Sequence, residues 1–107
     1  MEIRCKKQYL EDLYTKGKTK DKRFKSNPQL IKQYQKTVQR LIKATKIEDL
    51  YALKSLHYEK KTGDLKGKSA VYINKQYRLI FTEIPSEEPP YEIELLELEE
   101  ISKHYEK

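Results

Sequence analysis

Hydrophobic positions in the first half of the chain recur mostly at helical spacing. Residues 2 to 5, EIRC, alternate and predict a short strand, whereas in KQYLEDLYTK the residues Tyr9, Leu10, Leu13 and Tyr14 form one helical stripe. The periodicity stops at residues 16 to 25, KGKTKDKRFK. Gly17 and a dense run of Lys and Arg predict a loop there, with Phe24 as the side chain expected to pin it to the core. Asn27 and Pro28 supply an N-cap and a first-turn proline. Leu30, Ile31, Tyr34, Val38, Leu41 and Ile42 then form the apolar stripe of a helix ending at Ala44. Thr45 and Glu48 have capping-box spacing and predict a further helical turn in IEDLYAL.

From Leu56 onward the period becomes that of strands. SAVYIN and YRLIFTEI alternate across Asn74-Lys75-Gln76 as the arms of a hairpin do, and YEIELLELE repeats the pattern after the SEEPP loop. The alternation puts Val71 and Ile73 on one face and Ala70 and Tyr72 on the other. In the next strand Arg78, Ile80, Thr82 and Ile84 oppose Tyr77, Leu79 and Phe81. The expected fold is α+β, with N-terminal helices packed on a small, mainly antiparallel β-sheet, and residues 1–107 are expected to form a single domain without repeats or linkers.

Composition adds compartment and partner. The chain is 36% hydrophobic and 37% charged, but nine tyrosines and regular apolar spacing argue for a folded domain. Cys5 is the single cysteine, which excludes an internal disulfide and a cysteine metal cluster and fits a reducing compartment. MEIRCKKQYLEDL has no signal-peptide core and no stretch approaches the roughly 20 apolar residues of a membrane span, so a cytoplasmic protein without membrane contact is expected. The formal charge of +6 hides a polarity: residues 1 to 82 hold 21 Lys and Arg against 8 Asp and Glu, and residues 83 to 107 hold 2 against 9. A basic body of this kind is the footprint of binding to phosphate backbones, and equally the mark of a solvated surface.

The residue inventory excludes several chemistries. There is no phosphate-binding glycine motif, no HExxH and no GxSxG, and two histidines with one cysteine make no zinc set, so neither metal nor cofactor is expected. What remains is His57, Asp64 and Lys66 in a glycine-bounded loop, Arg78 on the hairpin, and His104 with Tyr105. Metal-free RNA cleavage needs such groups, because a base takes the 2′-hydroxyl proton, an acid protonates the leaving 5′-oxygen, and cations offset the charge on the phosphorane. Each also has a plain reading. His57 suits a surface position, Arg78 can pair with Glu92 or Glu94, Asp64 can satisfy loop backbone, and Lys66 can be solvated.

The run LH, GDLKG, an alternating strand, then YRLIF, closing on HY near the end, resembles the RelE superfamily of bacterial toxin–antitoxin systems, and within it the HigB-like host-inhibition toxins. The resemblance implies a compact α+β toxin bound by a cognate antitoxin, expected to be of helix-turn-helix type with an acidic or amphipathic segment. It also implies cutting of messenger RNA in the ribosomal decoding site, usually without a metal. It places His57, Arg78, His104 and Tyr105 in catalytic roles and Lys66 on the family's loop lysine. Lys18, Lys20, Lys22 and Arg23, in a run with six Lys or Arg against one Asp, would suit ribosomal RNA. Two other readings share the fold: a ParE-like inhibitor of DNA gyrase, and an inactive antitoxin-binding module.

Overall fold

The computed structural model describes residues 1–103. EIRC forms β1 (Glu2–Cys5), the first stripe α1 (Gln8–Thr15), and the longer one α2 (Pro28–Lys43). Asn27 caps α2 as its sequence position predicts, its side-chain oxygen accepting the Leu30 N–H at 3.1 Å. A short α3 (Glu48–Ala52) follows, but the predicted capping box does not form: no side chain caps the helix, and the carboxylate that reaches back to Thr45 is that of Asp49, not Glu48. Asp49 Oδ2 accepts both the Thr45 N–H (2.9 Å) and the Thr45 hydroxyl (2.8 Å), which draws the Asp49 carboxyl below its ordinary range. The second half supplies β2 (Glu59–Lys60), β3 (Ser69–Tyr72), β4 (Tyr77–Pro85) and β5 (Ile93–Lys103).

The five strands form one sheet in the order β1-β5-β4-β3-β2. Its pairings are antiparallel except that β1 runs parallel to β5, with Ile3 opposite Leu96. The hairpin expected at residues 74–76 joins β3 and β4, Tyr72 lying opposite Arg78. One face of the sheet receives all three helices. Leu10 and Leu13 of α1, Leu30, Tyr34, Val38 and Leu41 of α2, and Leu50 of α3 bury against Val71, Leu79, Phe81, Leu96, Leu98 and Ile101. Tyr34 brings a hydroxyl into this core and satisfies it by donating to the Leu10 carbonyl at 2.8 Å. Ile42, the last member of the α2 stripe, is 40% exposed instead of buried, because it borders an open pocket lined with it by Met1, Ile3 and Tyr14.

The opposite face carries Ala70, Tyr72, Arg78, Ile80 and Thr82, as strand alternation requires. β5 departs from strict alternation twice. Its register against β4 shifts between Ile80 and Phe81 and again between Ile84 and Pro85, so that Glu99 and Glu94 fall at the extra positions of two bulges. The first bulge is why Leu96, Leu98 and Ile101 all reach the core although 98 and 101 differ in parity.

Candidate active site

The face away from the helices brings together two of the side chains in question, His57 and Arg78, around a tyrosine. A 3₁₀ turn at Lys54–Leu56 ends on His57, whose backbone is left-handed (φ 46), and this reversal starts β2 beside β3. The His57 ring lies against Tyr72, centroids 5.1 Å apart and planes inclined by 44°. Across the hairpin the Arg78 guanidinium sits over the same tyrosine, its Cζ 4.8 Å from the ring centroid. His57, Tyr72 and Arg78 therefore form a continuous row over neighbouring strands, with Ser102 opposite Arg78 on β5. His57 is exposed and Arg78 half-buried.

Arg78 does not pair with Glu92 or Glu94. Glu92 precedes β5 and Glu94 stands at its start, the end remote from Arg78, whereas Arg78 Nη1 donates to the Asn74 carbonyl (2.7 Å) and the Tyr77 carbonyl (3.1 Å). No ion pair involves Arg78 among the described residues. Farther along the same face the Glu99 carboxylate is buried, 5% exposed, and is held by Lys68 (2.6 Å), Lys6 (3.1 Å) and the Thr82 hydroxyl (3.2 Å). Burial alone would raise the Glu99 carboxyl, but the two ammonium groups outweigh it and keep it below its ordinary range.

Lys66 is not brought to this row. It lies past the other end of β3, exposed in the Gly63–Gly67 loop, and lines a separate cavity of about 520 Å³ together with Lys60, Lys61, Lys68, Glu83 and Ile93. The Glu83 carboxylate in its wall accepts hydrogen bonds from the Tyr58 and Ser69 hydroxyls. Burial, followed by that hydrogen bond, pushes the Tyr58 hydroxyl up. Asp64 is exposed in the same loop, with no side-chain hydrogen bond among the described residues.

The basic loop is anchored as expected. Phe24 is 2% exposed and stacks on Tyr9 (centroids 5.6 Å apart) with its edge toward Tyr77 (6.2 Å). Arg23 differs from its lysine neighbours: two nitrogens donate to the Asp21 carboxylate (3.1 and 2.7 Å) while the guanidinium covers the rings of Tyr9 and Phe24. Lys18, Lys20 and Lys22 are exposed and make no ion pair among the described residues. His104 and Tyr105 lie outside the described residues. Sequence reasoning did not nominate Tyr72, Asn74 or Glu99. For the first two a positional signal was present, since Tyr72 shares Arg78's face by parity and Asn74 opens the hairpin turn.

Among the described residues no cluster of His, Cys, Asp and Glu is arranged to hold a metal, and no helix is long and apolar enough to cross a membrane. Residues 3–87 match the family described as the RelE-like toxin of the type II toxin–antitoxin system HigB. No curated protein sequence matches the chain. Among solved structures it is similar to YafQ from E. coli strain BL21(DE3), at 17% identity over 95% of this chain and 91% of that one, TM-score 0.59. It is likewise similar to the YoeB/ParE toxin from Agrobacterium tumefaciens (14% identity, 98% and 100% covered, TM-score 0.55). The third is a chain of the YoeB-YefM complex from Staphylococcus aureus (19% identity, 98% and 98% covered, TM-score 0.56). At these identities the likeness is one of fold.

Proposed function

Because the chain belongs to the HigB-like family of RelE-like toxins of type II toxin–antitoxin systems, we propose that it arrests translation as a ribosome-dependent endoribonuclease that cuts messenger RNA in the decoding site. The observation that carries this reading is the row His57, Tyr72, Arg78 on the sheet face turned away from the helices. It offers a titratable imidazole and a guanidinium whose charge no carboxylate among the described residues neutralises.

In the proposed reaction the 2′-hydroxyl oxygen attacks the adjacent phosphorus as its proton passes to a base. The bond from phosphorus to the 5′-oxygen breaks, and an acid protonates that oxygen, leaving a 2′,3′-cyclic phosphate and a 5′-hydroxyl. His57 and His104 are the two groups assigned to these transfers, and Tyr105 orients His104 or stacks on a splayed base. Arg78 stabilises the charge that develops on the phosphorane. Lys66, in its own cavity, is assigned to a flanking phosphate, and Lys18, Lys20 and Lys22 to ribosomal RNA. The partner that silences the toxin is a cognate antitoxin with an acidic or amphipathic segment. The naming of one structural neighbour as a complex of two proteins supports such a partner.

The test is translation on purified ribosomes with the messenger's ends read by primer extension. Cuts within codons are expected only when ribosomes are present, and Arg78→Ala should lower the single-turnover rate about 100- to 1,000-fold while ribosome binding persists. The neighbour named as a YoeB/ParE toxin favours one second reading, gyrase inhibition. Loss of gyrase supercoiling with intact messenger would establish that reading instead.

A further inference from the structure

Arg78 is half-buried on a strand without a carboxylate partner among the described residues, so something other than ion pairing sets its direction. Its Nη1 rests on two backbone carbonyls of the β3–β4 hairpin, Asn74 O at 2.7 Å and Tyr77 O at 3.1 Å, and its cationic carbon lies 4.8 Å from the Tyr72 ring centroid. The hairpin is itself fixed by one side chain. Asn74 Oδ1 accepts the N–H groups of Gln76 (2.8 Å) and Tyr77 (2.9 Å), closing the turn, while Asn74 Nδ2 donates to Gln33 Oε1 on α2 at 2.8 Å. The carbonyl on which Arg78 rests is thus held in place by the Asn74 side chain and, through Gln33, by the helical layer. Tyr72 does a second thing: its ring also contacts His57, so one side chain sets the spacing of the imidazole from the guanidinium.

A carboxylate would hold an arginine more firmly, but it would cancel the charge and occupy the fork of donors that a phosphate needs. An aromatic face and two neutral carbonyls hold the cation and leave the charge in place. Of the five guanidinium N–H donors, those on Nε and Nη2 meet no partner among the described residues. We propose that Tyr72 and Asn74 are positioning residues, which keep Arg78 immobile at a fixed distance from His57 before substrate arrives and so act on the rate of the chemical step rather than on affinity. The inference rests on the ribonuclease reading of this site. Its physical basis is that a long side chain ordered during folding need not be ordered in the transition state.

Two measurements test it, one independent of activity. The first is ¹⁵N relaxation of the Arg78 Nε–H in Tyr72→Leu, Tyr72→Phe and Asn74→Ala, with melting curves recorded in parallel. The group should become mobile in Tyr72→Leu and Asn74→Ala and stay ordered in Tyr72→Phe, which keeps the ring. The second is single-turnover cleavage on programmed ribosomes. Tyr72→Leu should lower the maximal rate on the order of 10-fold, the worth of one cation–π contact, with the half-saturating concentration unchanged. Tyr72→Phe should stay within about 3-fold of wild type, and the Tyr72→Leu effect should vanish when Arg78 is already alanine. An Arg78 that stays ordered in folded Tyr72→Leu overturns the inference. So does a Tyr72→Leu defect confined to affinity, or one that persists in full beside Arg78→Ala. Absence of cleavage by the wild type on programmed ribosomes would instead overturn the ribonuclease reading, and wild-type cleavage by Arg78→Ala would remove Arg78 from the reaction; in either case the relaxation result would still decide whether Tyr72 and Asn74 hold Arg78.

Discussion

Glu99 keeps a negative charge inside the sheet because Lys68, Lys6 and the Thr82 hydroxyl all reach it. Its carboxyl lies below the ordinary value of 4.5 in the native state despite burial. A depressed native value means that the group stabilises the fold fully above about pH 4.5 and loses that contribution as pH falls through its native pKa. Between pH 6 and pH 3 the melting temperature of the wild type should therefore fall more steeply than that of Glu99→Gln, which has no carboxylate to protonate. The other carboxylates with depressed values, Asp12, Asp21 and Asp49, are common to both proteins, so the difference between the two curves isolates Glu99. Parallel curves would mean that Lys6 and Lys68 add nothing to the native state through it. Its place was hidden in the sequence because parity assigns side chains to faces only while a strand is regular, and Glu99 occupies the extra position of a bulge. Arg78 was legible as a residue apart from the core. The sequence pattern places Tyr72 and Asn74 near it, but that they support it was not legible, since cation–π contact and carbonyl acceptance leave no local signature.

Elements whose ends carry their own chemistry were readable. The Asn27 cap and Pro28 bracket the start of α2, and the Asn74 turn joins β3 to β4 where the alternation breaks. The parallel pairing of β1 with β5 was not readable, because it joins residues more than 90 positions apart and no turn dictates it. The carboxylate that reaches back to Thr45 is one position beyond the one its spacing predicts, Asp49 for Glu48, and no side chain caps α3 itself. The loop between α1 and α2 shows how a polar segment is held by one apolar side chain. Phe24 is buried between Tyr9 and Tyr77, and the loop's charged groups stand outward around it. Phe24→Ala should cost about 3–5 kcal/mol of stability in denaturant titration. A cost below about 1 kcal/mol, close to the range of surface substitutions, would show that the loop docks without it.

On the scale of the whole molecule, the basic loop and an acidic turn stand at opposite ends of β4. The basic loop is fastened at Tyr77, where β4 begins, whereas Glu87, Glu88 and Glu92 stand in the turn where β4 ends, nine strand residues away. At about 3.3 Å per residue that is roughly 30 Å, in a molecule 44 Å long. Replacing Lys18, Lys20 and Lys22 with glutamine should weaken ribosome binding and flatten its dependence on salt, by roughly 0.7–0.9 in the slope of log K against log salt for each phosphate no longer neutralised. An unchanged slope would return those lysines to solvent. The basic loop and the acidic turn also form a pair of opposite charges set apart by the length of β4, and such a pair near a polyanion feels a torque as well as a pull. If the proposed ribosomal target holds, that pair would swing the acidic turn outward and the Tyr77 end inward within a Debye length of the RNA, about 8 Å at physiological salt, before the two surfaces touch. Much of the rotational search that slows ordinary docking is then completed by the field.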